Sequence, residues 1–172
     1  MKKIMEMLQN MKAKNEKKDN KGFSLVELII VIAIMAILVG IVGTQVLPYI
    51  NKSKEAKDLQ IINSYGTAAA TAYASNAEKV KTNITFKVYV PGSDSTAVTL
   101  SDEIKELTGY DGIDDLVGST TKTGKMASKK GKKIAEIQVS IDLTNKKITT
   151  QAYSDAACST GKEVFDAIVT EL

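Results

Sequence analysis

The stretch KGFSLVELIIVIAIMAILVGIVGTQVLP, residues 21–48, decides how the rest of the chain is read. From Phe23 to Leu47 it is dominated by Ile, Val, Leu and Ala. As a helix rising about 1.5 Å per residue it is about 37 Å long, enough to cross a hydrocarbon core of about 30 Å. One charge, Glu27, sits near its start. An acidic residue at mid-membrane costs about 2.5 to 3.5 kcal/mol, and less this close to a helix end. Wetting by lipid headgroups accounts for such a carboxylate. The alternative is that Glu27 pairs with a positive group once the helix leaves lipid.

Lys2, Lys3, Lys12, Lys14, Lys17, Lys18 and Lys21 all precede the apolar run. By the positive-inside rule the N-terminus is cytoplasmic and everything after Pro48 lies on the far side. The leader is unlike an ordinary secretory signal, because no A-x-A site follows the apolar run for a peptidase to cut. What precedes the helix instead is a lysine-rich segment ending in Gly22, directly before Phe23.

In Gly22-Phe23, with Glu27 as the fifth residue after the junction, the chain resembles the type IV pilin family, including the pseudopilins of secretion and DNA-uptake machines. The resemblance covers the leader and the first helix, about a third of the chain. It implies cleavage between Gly22 and Phe23 by a membrane aspartyl prepilin peptidase and N-methylation of Phe23. It also implies that Glu27 meets the Phe23 amine of a neighbouring subunit in a filament. A glycine at 22 leaves the scissile bond uncrowded. Removing one partner of a buried ion pair costs about 3 to 5 kcal/mol, so Glu27 reads as a device that sets register.

The chain has 172 residues and a formal charge of +3. The leader holds seven lysines against three acids, leaving sixteen lysines against seventeen acids in the mature part. The overall basicity therefore belongs to the leader. Histidine and arginine are both absent, which excludes histidine-based triads, His-ligated zinc and arginine clamps on phosphate. No catalytic residue and no cofactor is expected. Cys158 has no second cysteine to pair with, a departure from the many Gram-negative pilins that close a C-terminal loop with a disulfide. Basicity carried by lysine alone points to an AT-rich, Gram-positive source.

Beyond Lys52 the apolar residues narrow to a stripe, Ala56, Leu59, Ile62, Tyr65, Ala69, Ala72, Tyr73 and Ala77, which predicts an amphipathic helix continuing the first. Gly40, Gly43 and Pro48 interrupt the join, and Pro48 lacks a backbone donor, so a kink or soft segment is expected there. Residues 85–90 alternate and end at Pro91-Gly92, predicting a strand and turn. Ser101 is expected to cap a short helix ending at Gly109. Residues 134–143 and 146–153 read as a hairpin about Thr144-Asn145. Thr160-Gly161-Lys162-Glu163 has capping-box spacing, predicting a terminal helix, with a strand as the alternative.

The expected fold is α+β, a long N-terminal helix packed on a small antiparallel sheet. Residues 1–22 form a removable leader, 23–48 the hydrophobic anchor and filament core, and 49–172 the amphipathic helix with an extracytoplasmic domain. Lys122, Lys125, Lys129, Lys130, Lys132 and Lys133 make a positive loop that suits nucleic acid or an anionic wall polymer. A solvated face is the ordinary state of such a run, and no aromatic residue is interleaved for stacking. Asp111, Asp114 and Asp115 about Gly112 offer oxygen ligands of the kind calcium takes, though EF-hand alternation is absent and a plain acidic turn reads as well.

The resemblance implies a pilus subunit supporting adhesion, twitching motility or aggregation, a membrane precursor that becomes an extracellular polymer. Its partners are then copies of itself, the prepilin peptidase, the assembly platform and minor pilins. A pseudopilin of a type II secretion or DNA-uptake system is the alternative. A single-pass membrane protein with an extracytoplasmic binding domain is the second.

Overall fold

The computed structural model describes residues 3, 5–6 and 23–172. The chain divides into two units, Met1–Leu47 and Pro48–Leu172. In the first, helix α1 spans Leu25–Ile41 and passes into a π-helical turn at Val42–Val46. The wider turn answers the interruption expected at Gly40, Gly43 and Pro48. Leu47 donates its N–H to Val42 O, one residue further back than in an α-helix. A proline at 48 has no N–H to give, and its ring would crowd the carbonyl four residues before it. Local widening is how a helix absorbs such a mismatch. Thr44 Oγ1 donates to Gly40 O at 2.9 Å, satisfying one carbonyl of this segment.

The second unit begins with helix α2, Leu47–Asn76 as bounded by its hydrogen bonds. Strand β1 (Ile84–Lys87), helix α3 (Ser95–Thr108) and helix α4 (Ile113–Val117) follow. A loop ending in a 3₁₀ turn at Gly131–Lys133 leads to β2 (Glu136–Asp142), β3 (Lys147–Tyr153) and β4 (Ile168–Glu171). The strands lie in the order β1-β2-β3-β4 with every pairing antiparallel. The α+β class expected from sequence is the one observed.

The core lies between α2 and one face of the sheet. Ile62, Tyr65, Ala69 and Ala72 recur at helical spacing and are fully or almost fully buried. They meet Phe86 and Val88 of the β1 segment, alternate residues Ile137, Val139 and Ile141 of β2, and Ile148 and Ala152 of β3. Fully burying one such aliphatic side chain is worth about 1.5 to 3 kcal/mol. The ends of the expected stripe fall outside this core, since Ala56 and Ala77 are exposed. At Gly66 a Cβ would come 2.7 Å from Ile168 Cγ2, so glycine permits the close approach of β4 to α2.

Two local expectations are corrected. Ser101 does not cap a helix. Asp94 does, its carboxylate accepting from Ala97 N–H at 2.9 Å, and α3 runs for 14 residues from there. Ser101 is buried within the helix and donates to Val98 O. Gly109 ends α3 in the left-handed region at φ +74°, as its position predicts. The terminal segment is the strand alternative rather than a helix. Gly161 turns the chain at φ +81°, Tyr153 bridges to Glu163, and β4 then pairs with Lys147–Thr150. The free edge of β3 supplies backbone partners that outweigh a local capping preference.

Candidate processing and assembly site

The start of α1 is built from its own first residues. Ser24 has extended backbone angles, φ −62° and ψ 139°, and is the N-cap. Its hydroxyl accepts from Val26 N–H at 3.3 Å, and its carbonyl accepts from Leu28 N–H at 3.1 Å. The Glu27 carboxylate turns back so that Oε2 accepts Ser24 N–H at 2.9 Å. This is a reciprocal capping box, in which side chains satisfy backbone donors that the first helical turn leaves orphaned. Negative charge there also faces the positive end of the helix dipole. Glu27 thus has a structural partner within its own chain. The spacing Ser24-x-x-Glu27 signals this in the sequence.

Phe23 precedes the helix, is non-helical and is 82% exposed. Gly22, the other side of the expected scissile bond, lies outside the described residues, as does most of the 1–22 leader. No residue of α1 is buried, although almost all of it is apolar. The helical run from Leu25 is long and apolar enough to cross a membrane. Gly40 lies in α1 and Gly43 in the π turn, both with open space where a Cβ would stand, while Pro48 is the second residue of α2.

The second unit places the other sequence candidates. Asp115 accepts from Gly112 N–H at 3.2 Å and pairs with Lys122 Nζ at 2.7 Å. The Lys122 ammonium holds the Asp115 carboxyl below its usual range, and the carboxylate raises Lys122 in return. Asp111 and Asp114 are exposed. Among the described residues no group of three or more His, Cys, Asp or Glu side chains is gathered as a metal site. Cys158 is half-buried, and that burial raises its thiol above the ordinary value, so it is protonated at neutral pH.

The lysine loop is anchored by a residue that sequence reasoning missed. Asp58 of α2 is fully buried and accepts from Ala127 N–H at 2.7 Å, from Ser128 N–H at 2.8 Å and from the Ser128 hydroxyl. The Ser128 hydroxyl in turn accepts from Gly131 N–H at 2.8 Å. A Cβ on Gly131 would fall 2.3 Å from Asp58 Oδ2, so the loop passes too close for any larger residue. Lys130 caps the arrangement, its ammonium 4.9 Å from the centre of the Phe165 ring. The C-terminal half of the lysine loop is therefore tied to α2.

A second buried carboxylate, Glu136, lies at the start of β2. Oε1 accepts from Tyr89 N–H at 3.0 Å and from its neighbour Ile137 N–H at 2.9 Å, whereas Oε2 is buried without a hydrogen bond. Burial raises its pKa above the ordinary glutamate value, against the pull of those two donors. Tyr89 also bonds to the Tyr65 hydroxyl, and Tyr65 stacks on Tyr110 with centroids 6.1 Å apart. Burial pushes Tyr89 up to about 12 and Tyr65 higher still. These phenols are structural donors that stay protonated at physiological pH.

Residues 17–43 match the family of the prokaryotic N-terminal methylation motif, which marks type IV pilin and prepilin-like proteins. The chain has a prepilin-like N-terminus. The matched segment holds the Gly22-Phe23 junction, the Ser24–Glu27 capping box and all of α1. The motif is that of a structural family and not of an enzyme family. Comparison with curated proteins and with solved structures finds no match. The prepilin-like segment fits a membrane-anchored precursor, and the unit that follows it is α+β with a four-stranded antiparallel sheet.

Proposed function

We propose that this chain is the precursor of a type IV pilus structural subunit. A prepilin peptidase cuts between Gly22 and Phe23 on the cytoplasmic face and Phe23 is N-methylated. The mature chain then leaves the membrane to polymerise through α1, with the 48–172 unit exposed for adhesion, motility or aggregation. The assembly platform and minor pilins are its partners in that step, and looser helix geometry at Gly40, Gly43 and Pro48 lets neighbouring copies settle. The observation that carries the reading is an apolar helix with no buried residue that starts, capped by Ser24 and Glu27, directly after the junction. Such a surface needs lipid first and identical helices afterwards.

Glu27 sets the register. Its Oε2 is committed to Ser24, which aims the carboxylate at the helix start and leaves Oε1 to take a neighbour's Phe23 ammonium. A subunit seated one step out of register loses that partner, at about 3 to 5 kcal/mol for a broken buried pair.

Mass analysis of the N-terminus of protein from its own cells tests the processing step. A mature chain beginning with N-methylated Phe23 is expected, and a chain retaining Met1 would sink the reading. Glu27→Gln tests assembly more sharply than an apolar replacement, because glutamine keeps the capping box and removes only the charge. Normal processing with few filaments is expected. Wild-type filament yield from Glu27→Gln would remove the register argument. Long surface filaments lost on deletion favour a pilus subunit over a pseudopilin.

A further inference from the structure

We propose that the lysines at the start of the 48–172 unit form a docking surface for anionic lipid headgroups. The surface has two parts. Lys52, Lys54 and Lys57 lie four, six and nine residues after Pro48 and are exposed. Lys129, Lys130, Lys132 and Lys133 belong to the loop that Asp58 holds against α2, and these too are exposed.

The tie at Asp58 fixes where the loop can be. Asp58 is ten residues past Pro48, so the loop's anchor point on α2 lies within about 15 Å of the point where the apolar run ends. That bound comes from α2 alone and holds whatever direction α2 takes. The three helix lysines are nearer, at about 6, 9 and 14 Å. Flexible lysine side chains then bring the ammonium groups within the Debye length of about 8 Å over which a charged bilayer surface acts. The described ion pairs join Lys105 to Asp102 and Lys122 to Asp115, so none of these seven lysines is neutralised that way. Against them stand Glu55, the buried and satisfied Asp58, and Asp166 beside Lys130 and Phe165.

The opposite end of α2 is mixed in sign, since Lys79 bonds Asn76 there and Lys105 pairs with Asp102. Asn76, eighteen residues or about 27 Å beyond Asp58, hydrogen-bonds Glu103 of α3. Asp102, Glu103 and Glu106 line one groove there. The lysine-rich start of the unit follows the membrane-length run within a few residues, so the polyanion nearest to it in the membrane-bound chain is the bilayer itself. Anionic headgroups would hold the unit down before assembly and release it as the helix leaves lipid.

The test is acetylation footprinting of the full chain in nanodiscs of phosphatidylcholine alone or with a third of the lipid replaced by phosphatidylglycerol. Modification of Lys129, Lys132 and Lys133 is read by mass spectrometry against Lys81, beyond the distal end of α2. A several-fold slowing at the three loop lysines in anionic discs, reversed by high salt, is expected, with Lys81 unchanged. K129Q/K132Q/K133Q should weaken the anionic-lipid slowing at Lys54 and Lys57. Equal rates in both discs would overturn the proposal. So would slowing by a short DNA duplex in phosphatidylcholine discs with no effect of phosphatidylglycerol, which would assign the surface to nucleic acid. The test needs only the membrane anchor, so its failure leaves the pilus reading standing, and the reverse holds.

Discussion

Replacing Asp58 with alanine removes one carboxylate and leaves three donors behind. Ala127 N–H, Ser128 N–H and the Ser128 hydroxyl all end on it, in a position with no exposure to solvent. A hydrogen bond to a charged group contributes about 1.5 to 3 kcal/mol. The three do not add, because the Ser128 hydroxyl keeps its bond from Gly131 N–H and water enters the space vacated. The expected loss is about 3 to 5 kcal/mol, the cost typical of stripping one partner from a buried charged contact. At about 3 to 5 °C per kcal/mol for a unit of this size, the melting temperature falls by about 10 to 20 °C. Asp58→Asn should cost about half as much, since Oδ1 still accepts from Ala127 while the amide group opposes Ser128 N–H. Urea unfolding of the full chain in detergent, followed by far-ultraviolet circular dichroism, reads the loss. A second reading comes from trypsin, which should nick Asp58→Ala at Lys129–Lys133 before global unfolding. Combined with Ser128→Ala, the cycle should show coupling of about 1 kcal/mol or more. A loss below about 1 kcal/mol, or strict additivity with Ser128→Ala, would refute the claim that Asp58 anchors the loop.

Relative to the parent, Glu136→Gln should gain stability as pH rises towards neutral, because the carboxylate whose Oε2 is buried without a hydrogen bond is replaced by a group that does not ionise. Its folded-state pKa is raised, so the ionised carboxylate destabilises the fold above that pKa. The penalty is relieved as pH falls through the folded value towards the unfolded one. The advantage of glutamine should therefore shrink over that window and vanish below the ordinary glutamate range, as melting temperatures against pH will show. Ser24→Ala removes the N-cap hydroxyl at a cost of about 1 kcal/mol to the start of α1. Faster amide exchange at Val26 in micelles is expected, with Ser24→Asp restoring protection, and unchanged exchange would mean that the capping box does not form.

The membrane-length run, the amphipathic stripe, the hairpin and the Gly109 stop were legible because each depends on residues within a few positions of one another. Period and turn chemistry carry such elements. Asp58 was not legible. In sequence it is one acid in the alternation Lys54, Glu55, Lys57, Asp58, the pattern of a solvated helix face, and its partners lie 69 and 70 residues away. Glu136 was hidden differently. It occupies an outward position of an alternating strand, where a charge is ordinary, and its partner outside the strand, Tyr89 N–H, lies 47 residues away. The C-terminal strand was a balance between local and distant terms, and the open edge of β3 tipped it. At the candidate site, the prepilin-like segment was readable from the Gly22-Phe23 junction and the position of Glu27, and the spacing Ser24-x-x-Glu27 carries the capping box just as plainly.

Ser24 and Glu27 together explain why a carboxylate stands at this position and not merely somewhere in the helix. Cleavage as proposed creates an ammonium at Phe23, directly before the N-cap Ser24 and so beside the positive end of the α1 dipole. N-methylation does not remove that charge. A cation at a helix N-terminus is unfavourable by about 0.3 to 1 kcal/mol at an exposed surface and by more in an apolar bundle. Glu27 answers the dipole of its own helix through Ser24 N–H, and in the same position offers its second oxygen to a new amine. Moved four residues on, the carboxylate would still be a charge in lipid but would reach no cap and no helix start. In the proposed assembly the precursor and the filament therefore place the same demand on this residue. The capping box lets one side chain meet both, since it holds Glu27 ready before the amine exists.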